Sequence, residues 1–495
     1  MNTFINELEK QFNTKKTENG ADALHSTLSK VYDMFAFGGA YRNRSDEDVI
    51  LLFSEAYDEN PDLALKCLFY LRDIRGVGQG ERRFFDVCYR WLVQTHPRTA
   101  TKLLQYLPEY GRWDEVLKVT EGTNCWDNAV NLIQHQLKED IRSNGHPSLC
   151  AKWMPSENAS SQDTVALASN LRKSLNLTSR QYRKMLSELR AQIKLVESQM
   201  SQNRWEEIQF DKLPSKAGMK YRAAFGRNPI TSEKYRNFMN SKETKVNAGT
   251  LYPYEITHKA RVGSFYYDSN DIAVLDKYWN NLKDYFNGAD NSIMCVCDFS
   301  GSMTWSGYQN VLPIDISLSL GIYTAERMGG PFKNSFISFS NRPQFHRVYG
   351  DTIVDKVKNV LRTAEVANTN LPAVFDLFYD MVEDGRANSD DLPKTLVIVS
   401  DMEIDTGSNF RSKSEARTTM DRIAVKWAAA GLRFPNIVYW NCNARNNTIL
   451  QEPSSRITYV SGCSPAIFEQ IMAGKSGTEL MLETLNSKRY EVIKA

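Results

Sequence analysis

From about residue 22 to 290, apolar positions recur every three or four residues, as in DEDVILLFSEAYDE (46–59), PDLALKCLFYLRDI (61–74) and FFDVCYRWLVQTH (84–96). That spacing predicts amphipathic helices, because residues three and four apart share one face of the coil. Gly, Pro or Asn punctuates helix-length segments, as in THPRTATKLLQYLPEYGRWDEVLKV (95–119). Paired helices stacked as a HEAT-like repeat array read this way, although no strict sequence period is present. The polar stretch 1–21 is expected to be an N-terminal tail.

After residue 290 the rhythm changes. Apolar runs IMCVC (293–297), NSFISFS (334–340), TLVIVS (395–400), NIVYW (436–440) and RITYV (456–460) alternate with helical stretches around 313–328, 372–384, 414–430 and 465–473. The alternation predicts a doubly wound, Rossmann-like parallel sheet with helices on both faces. The expected organisation is therefore a tail (1–21), a helical repeat domain (22–290) and an α/β domain (291–495). In such sheets ligands bind beyond the carboxyl ends of the strands, so chemistry should follow each apolar run directly.

Hard oxygen donors stand at those positions. Asp298, Ser300 and Ser302 follow the first run, Asp401 follows TLVIVS, and Thr369 lies in the loop ANTNLPAVFD (367–376) before a helix. A chain leaving a strand can aim residues i, i+2 and i+4 to one side, and Gly301 permits the tight turn between the serines. A set of oxygens without nitrogen or sulfur suits a small hard cation, Mg²⁺ first among them.

These three loops resemble the metal-ion-dependent adhesion site of von Willebrand factor A domains. The second loop departs from that pattern, with Ala367-Asn368 where glycines usually precede the threonine. The resemblance implies that Ser300 and Ser302 bind the ion directly, and that Thr369, Asp298 and Asp401 bind directly or through water. It also implies an open position for a carboxylate from a protein partner. An aspartate after a parallel strand could instead accept a phosphoryl group, as in haloacid-dehalogenase-like phosphatases. Those carry a second acid two residues on, where this chain has Ser300, which cannot serve as a general acid of tunable pKa. GVGQG (76–80) lacks the spacing of a dinucleotide loop, and no other catalytic motif is present, so no enzyme is expected.

The segments YLRDIRGVGQGERRFFD (70–86), YLPEYGRWDEVL (106–117), LCAKWMPSENASS (149–161), LRKSLNLTSRQYRKML (171–186), FDKLPSKAGMKYRAAFGRN (210–228) and KVNAGTLYPYEI (245–256) resemble the uncharacterised domain-of-unknown-function family 2828. That family is in turn distantly similar to the TROVE module of Ro ribonucleoproteins. The resemblance implies a helical region that binds single-stranded or structured RNA, with closure into a ring through the C-terminal domain as a hypothesis.

Charge sharpens this picture. The chain carries a net charge of only +2, yet residues 171–262 hold 19 Lys and Arg against 8 Asp and Glu. The rest is therefore acidic, a segregation expected where one surface meets a polyanion. Arg183, Lys184, Lys216, Lys220, Arg222, Arg227, Lys234 and Arg236 alternate there with Trp205, Tyr221, Phe225, Tyr235 and Phe238. The cations are candidate phosphate ligands; most of the aromatics are expected to be buried helix faces rather than stacking platforms. Arg72, Arg75, Arg82 and Arg83 form a further candidate cluster, or else a solvated turn paired with Asp73 and Glu81.

Hydrophobic residues at 42% and charged residues at 24% exclude a mainly disordered chain. No apolar run approaches the roughly 18 residues that would span a bilayer, and the N-terminus has no signal-peptide core, so a cytoplasmic protein is expected. Eight cysteines without CxxC spacing predict buried reduced thiols. The leading expectation is a non-enzymatic RNA-binding scaffold with a Mg²⁺ site that docks a partner. The alternative is a divalent-dependent protein-interaction or assembly module without nucleic acid.

Overall fold

Five apolar runs become strands of one sheet, because each is short, apolar and almost wholly buried. The computed structural model describes all residues except 1–2, 144, 194, 264–268, 291, 306–311, 407–416 and 473–474. A short antiparallel pair, β1 (Thr14–Lys16) and β2 (Asp22–Leu24), precedes the sheet. The sheet itself contains β3 (Ile293–Asp298), β4 (Ser335–Phe339), β5 (Gln344–Arg347), β6 (Thr395–Ser400), β7 (Asn436–Asn441) and β8 (Ile457–Ser461). Their spatial order is β5-β4-β3-β6-β7-β8, parallel throughout except for the β4–β5 hairpin. β5 escaped the sequence reading because only His346 of its four residues is buried, which leaves no apolar run to see.

Successive strand residues point to opposite faces, so the unbroken burial of β3, β4 and β8 means both faces are covered. Helices Pro313–Arg327, Pro372–Glu383 and Thr419–Ala429 form where the sequence predicted them, and a shorter helix runs over Ile467–Ile471. Residues 414–416 and 473 of the expected helices lie outside the described residues. Helix Pro313–Arg327 is buried from Pro313 to Ala325 and packs directly on β3 and β4. Gly321 permits that approach, since a Cβ there would sit 2.8 Å from Cys297 Sγ and 3.1 Å from the Phe336 ring. The one carboxylate on its buried face, Asp315, is held by His258 Nδ1 (2.7 Å) and by both Arg261 Nε (2.7 Å) and Nη2 (3.0 Å).

The chain divides into two compact units, Met1–Cys67 with Leu251–Lys494, and Leu68–Thr250. The division expected near residue 290 marks the change from helix to strand, but compactness divides the chain elsewhere. The reason is that β8 is an edge strand and must be covered. Helix Lys30–Phe37, with Val31 to Phe37 all buried, packs on it. The Tyr459 N–H donates to Tyr32 Oη (3.1 Å) and the Gly39 N–H to Ser461 Oγ (3.0 Å). Residues 14–24 are not a tail either: Leu24 and Ile449 exchange backbone hydrogen bonds at 2.7 and 3.0 Å.

The unit Leu68–Thr250 is helical, with no strand among its described residues. Helices Arg82–Thr95, Trp113–Thr120, Trp126–Arg142, Gln162–Ser174, Ser179–Ile193, Ser215–Arg227 and Ser232–Asn240 are its main elements; the first four pack in sequence order, each on the next, and Ser215–Arg227 packs on Ser232–Asn240. All eight cysteines are buried and unbridged. Burial pushes the Cys295 thiol up to about 12, so it stays protonated and unreactive at neutral pH.

His346 carries a pH consequence. It is 3% exposed, stacked on Phe336, with the Ser338 hydroxyl 2.6 Å from Nε2 and the Thr363 hydroxyl 3.2 Å from Nδ1. Burial pushes its pKa down from 6.5 to about 4, so the folded state excludes a proton that the unfolded chain accepts. The resulting stability is complete above pH 6.5 and is lost as pH falls from there through 4. Thermal unfolding followed from pH 8 to 4 should show that decline, and His346→Gln should flatten it.

Candidate functional site

The register of the central strands builds the site. Cys297 pairs with Val399, which sets Asp298 level with Ser400 and leaves Asp401 one residue beyond β6. The chain runs outward from β3 to β4 and β5, then returns to β6 on the other side of β3, so both aspartates stand at the topological switch point of the sheet. Asp298 Oδ1 accepts the Ser300 N–H (2.8 Å) and Oδ2 accepts the Ser400 hydroxyl (2.6 Å). Ser300 is extended, a 3₁₀ turn follows at Gly301–Thr304, and the Ser300 and Ser302 hydroxyls converge to 3.1 Å.

Backbone hydrogen bonds stitch the other two loops to this turn. The Gly301 N–H donates to Ala367 O, and the Asp405 N–H to Thr369 O, each at 2.9 Å. Ser340, at the end of β4, fixes the second loop: its hydroxyl accepts the Ala367 N–H (2.6 Å) and its carbonyl the Asn370 N–H (2.9 Å). Met402, directly after Asp401, has φ +67°, a left-handed conformation unusual for a side chain of that size. Its N–H is held by Ser400 Oγ (3.0 Å), so the strained turn that aims Asp401 is locked from within the site.

Asp298, Ser300, Thr369 and Asp401 are each 2% exposed or less. Burial, and then the neighbouring Asp401, push the Asp298 carboxyl up to about 7. Asp401 is also pushed up by burial, against the Ser302 hydroxyl, the Glu403 N–H and the Arg445 guanidinium, which hold it down. Its Oδ2 is buried without a hydrogen-bond partner, and Arg445 Nη1 stands 3.7 Å away. Two adjacent buried carboxyls, one with an unpartnered oxygen, beside converging hydroxyls make an oxygen-donor set that fits a hard divalent cation. Among the described residues, no group of three or more His, Cys, Asp and Glu side chains could hold a metal, so any cation here depends on the hydroxyls.

Glu403, Arg445, Glu18 and Asn19, which no sequence motif marks, also border this cluster. Arg445 was within reach of the strand-end rule, since it follows β7 by four residues. Nothing in the sequence placed residues 18 and 19 there.

The candidate RNA ligands separate into two groups. Arg72 is buried in an ion pair with Glu115, its Nε at 2.9 Å from Oε2 and Nη2 on Oε1. Arg75 Nη1 donates to the carbonyls of Pro108 (2.7 Å), Glu109 (2.5 Å) and Gly111 (3.0 Å), closing a helix end. Arg82 pairs with Asp114 (2.9 Å), and Arg83 is half-buried. Arg72 and Arg82 are thus neutralised by carboxylates some thirty to forty residues on, beyond any local reading of the sequence, while the exposed Arg75 is held by backbone carbonyls.

Lys216, Lys220 and Arg227, in contrast, are exposed at spacings of four and seven along helix Ser215–Arg227, so they line one face. Arg183 and Lys184 are exposed on helix Ser179–Ile193, and Arg222 is half-buried. Of the interleaved aromatics, Phe225 and Tyr235 are buried in one ring cluster with Phe210 and the half-buried Phe238. Trp205 and Tyr221 stay half-exposed.

A helical unit and an α/β unit whose switch point gathers buried carboxyls and hydroxyls define the class. The chain belongs to the family of the domain of unknown function DUF2828, whose model matches residues 17–141 and 160–287. A second domain of unknown function, DUF7788, matches residues 291–492. The chain is 29% identical to the uncharacterized protein L728 of Acanthamoeba polyphaga mimivirus, covering 93% of this chain and 85% of that protein. It is also similar to the crystal structure of the Deinococcus radiodurans Ro (RSR) protein at a TM-score of 0.45 and 13% identity, over 94% of this chain and 100% of that one. No helix among the described residues is long and apolar enough to cross a membrane.

Proposed function

We propose that this protein is a non-enzymatic RNA-binding scaffold whose helical unit holds single-stranded RNA and whose α/β unit carries a Mg²⁺ site. The observation behind the RNA reading is the segregation of charge. Leu68–Thr250 holds 29 Lys and Arg against 19 Asp and Glu, while the rest of the chain is acidic. Arg72 is buried in an ion pair, whereas Lys216, Lys220 and Arg227 form an exposed row on one helix face. Such a row can replace the counterions of a phosphate backbone, which makes the affinity fall steeply with salt. Titrating a labelled single-stranded oligoribonucleotide across a salt series tests this, and absence of binding at low salt overturns it.

In the α/β unit, Ser300, Ser302 and Asp401 would hold the ion, with Thr369 and Asp298 directly or through water. The ion would supply positive charge to two buried acids that now share little of it. Asp298 uses both oxygens on Ser300 and Ser400, which suits a role through water; Asp401 Oδ2 has an oxygen to give. Supporting groups around a metal ligand are each worth about 10–100-fold in affinity, so Asp298→Ala should weaken Mg²⁺ binding by about 100-fold. Calorimetric titration of Mg²⁺ checks this, with RNA binding expected to be unchanged. The alternative of an assembly module without RNA would show the metal effect and no oligonucleotide binding at any salt.

A further inference from the structure

The segment expected to be a free tail lies against the strand-end loops. Thr17 Oγ1 donates to Ile404 O (2.7 Å), and the Glu18 N–H to Glu403 Oε2 (2.6 Å). Asn19 Nδ2 donates to Glu403 O (2.5 Å) and reaches Thr369 Oγ1 at 3.4 Å. Gly20, at φ +90°, then forms a bridge with Asp405 and turns the chain toward β2. Glu403 is itself 1% exposed, with the Thr448 hydroxyl on its other oxygen (2.7 Å). Apolar burial does not explain this docking. Polar contacts to two of the three site loops do.

The side chain delivered by this docking is Glu18. Its Oε2 pairs with Arg445 Nη2 at 2.5 Å, and its Oε1 accepts from Asn446 Nδ2 (3.0 Å). The other terminal nitrogen of the same guanidinium, Nη1, lies 3.7 Å from the unpartnered Oδ2 of Asp401, too far for a hydrogen bond. One monovalent cation therefore stands between two carboxylates and hydrogen-bonds only one of them.

We propose that Glu18 is a ligand of the cation site, so that the open position is filled by the same chain rather than by a partner. This rests on the Mg²⁺ reading above. A divalent ion and the Arg445 guanidinium compete for Asp401 and Glu18, and the ion brings the larger charge to a buried oxygen that Arg445 leaves unsatisfied. The Glu18 side chain is 40% exposed, so it can exchange one cation for the other without opening the core. Binding then clasps Thr17–Asn19 to the sheet, and the site becomes an internal latch for the N-terminal segment.

The test uses the full chain, Mg²⁺ titration by calorimetry, and limited proteolysis of the first 24 residues with Mg²⁺ or with EDTA. Mg²⁺ should slow cleavage in the wild type. Glu18→Gln should lower Mg²⁺ affinity about tenfold or more and abolish the protection by Mg²⁺. Arg445→Gln, which removes the competitor and keeps Glu18, should tighten Mg²⁺ binding. If Glu18→Gln binds Mg²⁺ as the wild type does, while Asp298→Ala does not bind, the cis ligand is overturned and the cation site stands. If the wild type binds no Mg²⁺ and is cleaved equally in EDTA, both readings fall.

Discussion

Replacing Lys216, Lys220 and Arg227 together by Ala should weaken binding of single-stranded RNA by about two orders of magnitude at 0.1 M salt. The figure follows from counterion release, since each phosphate neutralised on a single strand contributes about 0.7 to the slope of log affinity against log salt. Three lost contacts lower that slope by about 2, and a slope change of that size is about 100-fold at 0.1 M. The same three residues lie on the face of helix Ser215–Arg227 opposite to its buried Gly218 and Phe225, so their loss should leave the unfolding transition in place. Fluorescence anisotropy at several salt concentrations reads both affinity and slope. Lys358→Ala with Arg362→Ala, exposed cations of the α/β unit, provides the comparison and should change neither. An unchanged slope in the triple variant would remove this helix from the RNA surface.

The second large effect is on stability. Glu115→Ala should destabilise the helical unit by about 3–5 kcal/mol, because it leaves the Arg72 guanidinium buried without its counter-charge. The side chains are 3% and 0% exposed, and the bidentate geometry satisfies Nε and Nη2 of Arg72 together. Glu115 Oε2 also accepts the Arg112 N–H (3.4 Å) at the start of its own helix, so the substitution removes a helix cap as well. Burial and the charge of Glu115 push the nearby Asp86 carboxyl up to about 6. Replacing both partners, Arg72→Met with Glu115→Leu, should recover most of the loss, since no charge is then stranded. Urea unfolding should report a lower midpoint at unchanged slope for Glu115→Ala and a restored midpoint for the pair. A loss below 1 kcal/mol in Glu115→Ala would show the pair to be solvated rather than buried.

These two sites bracket what local sequence could convey. Lys216, Lys220 and Arg227 share a helix, where a spacing of four and seven residues is enough to set them on one face. Arg72 and Arg75 looked equally basic, yet their acceptors are Glu115 and the carbonyls of 108, 109 and 111, and only folding brings those together. The aromatics Phe225 and Tyr235 went the way of the core, as an apolar ring on a helix ordinarily does. The hairpin strand β5 was invisible because it has one buried residue, and the cover on β8 was invisible because an edge strand does not record what packs on it.

The sequence by itself determined the two-part rhythm, the central strands and the four oxygen-bearing residues Asp298, Ser300, Ser302 and Asp401 at their carboxyl ends. These are local properties: periodicity of two or 3.6 residues, and the rule that parallel strands end at their ligands. The tertiary structure alone decided where the compact units divide, which arginines are spent inside, and that residues 17–19 sit over the strand-end cluster. Those outcomes depend on pairings between distant residues, some forty apart for Arg72 with Glu115 and more than three hundred apart for Thr17 with Ile404 and Glu18 with Arg445. No short-range pattern encodes them, because a hydrogen bond to a distant loop asks of the chain only a polar atom in the right place once everything else has folded.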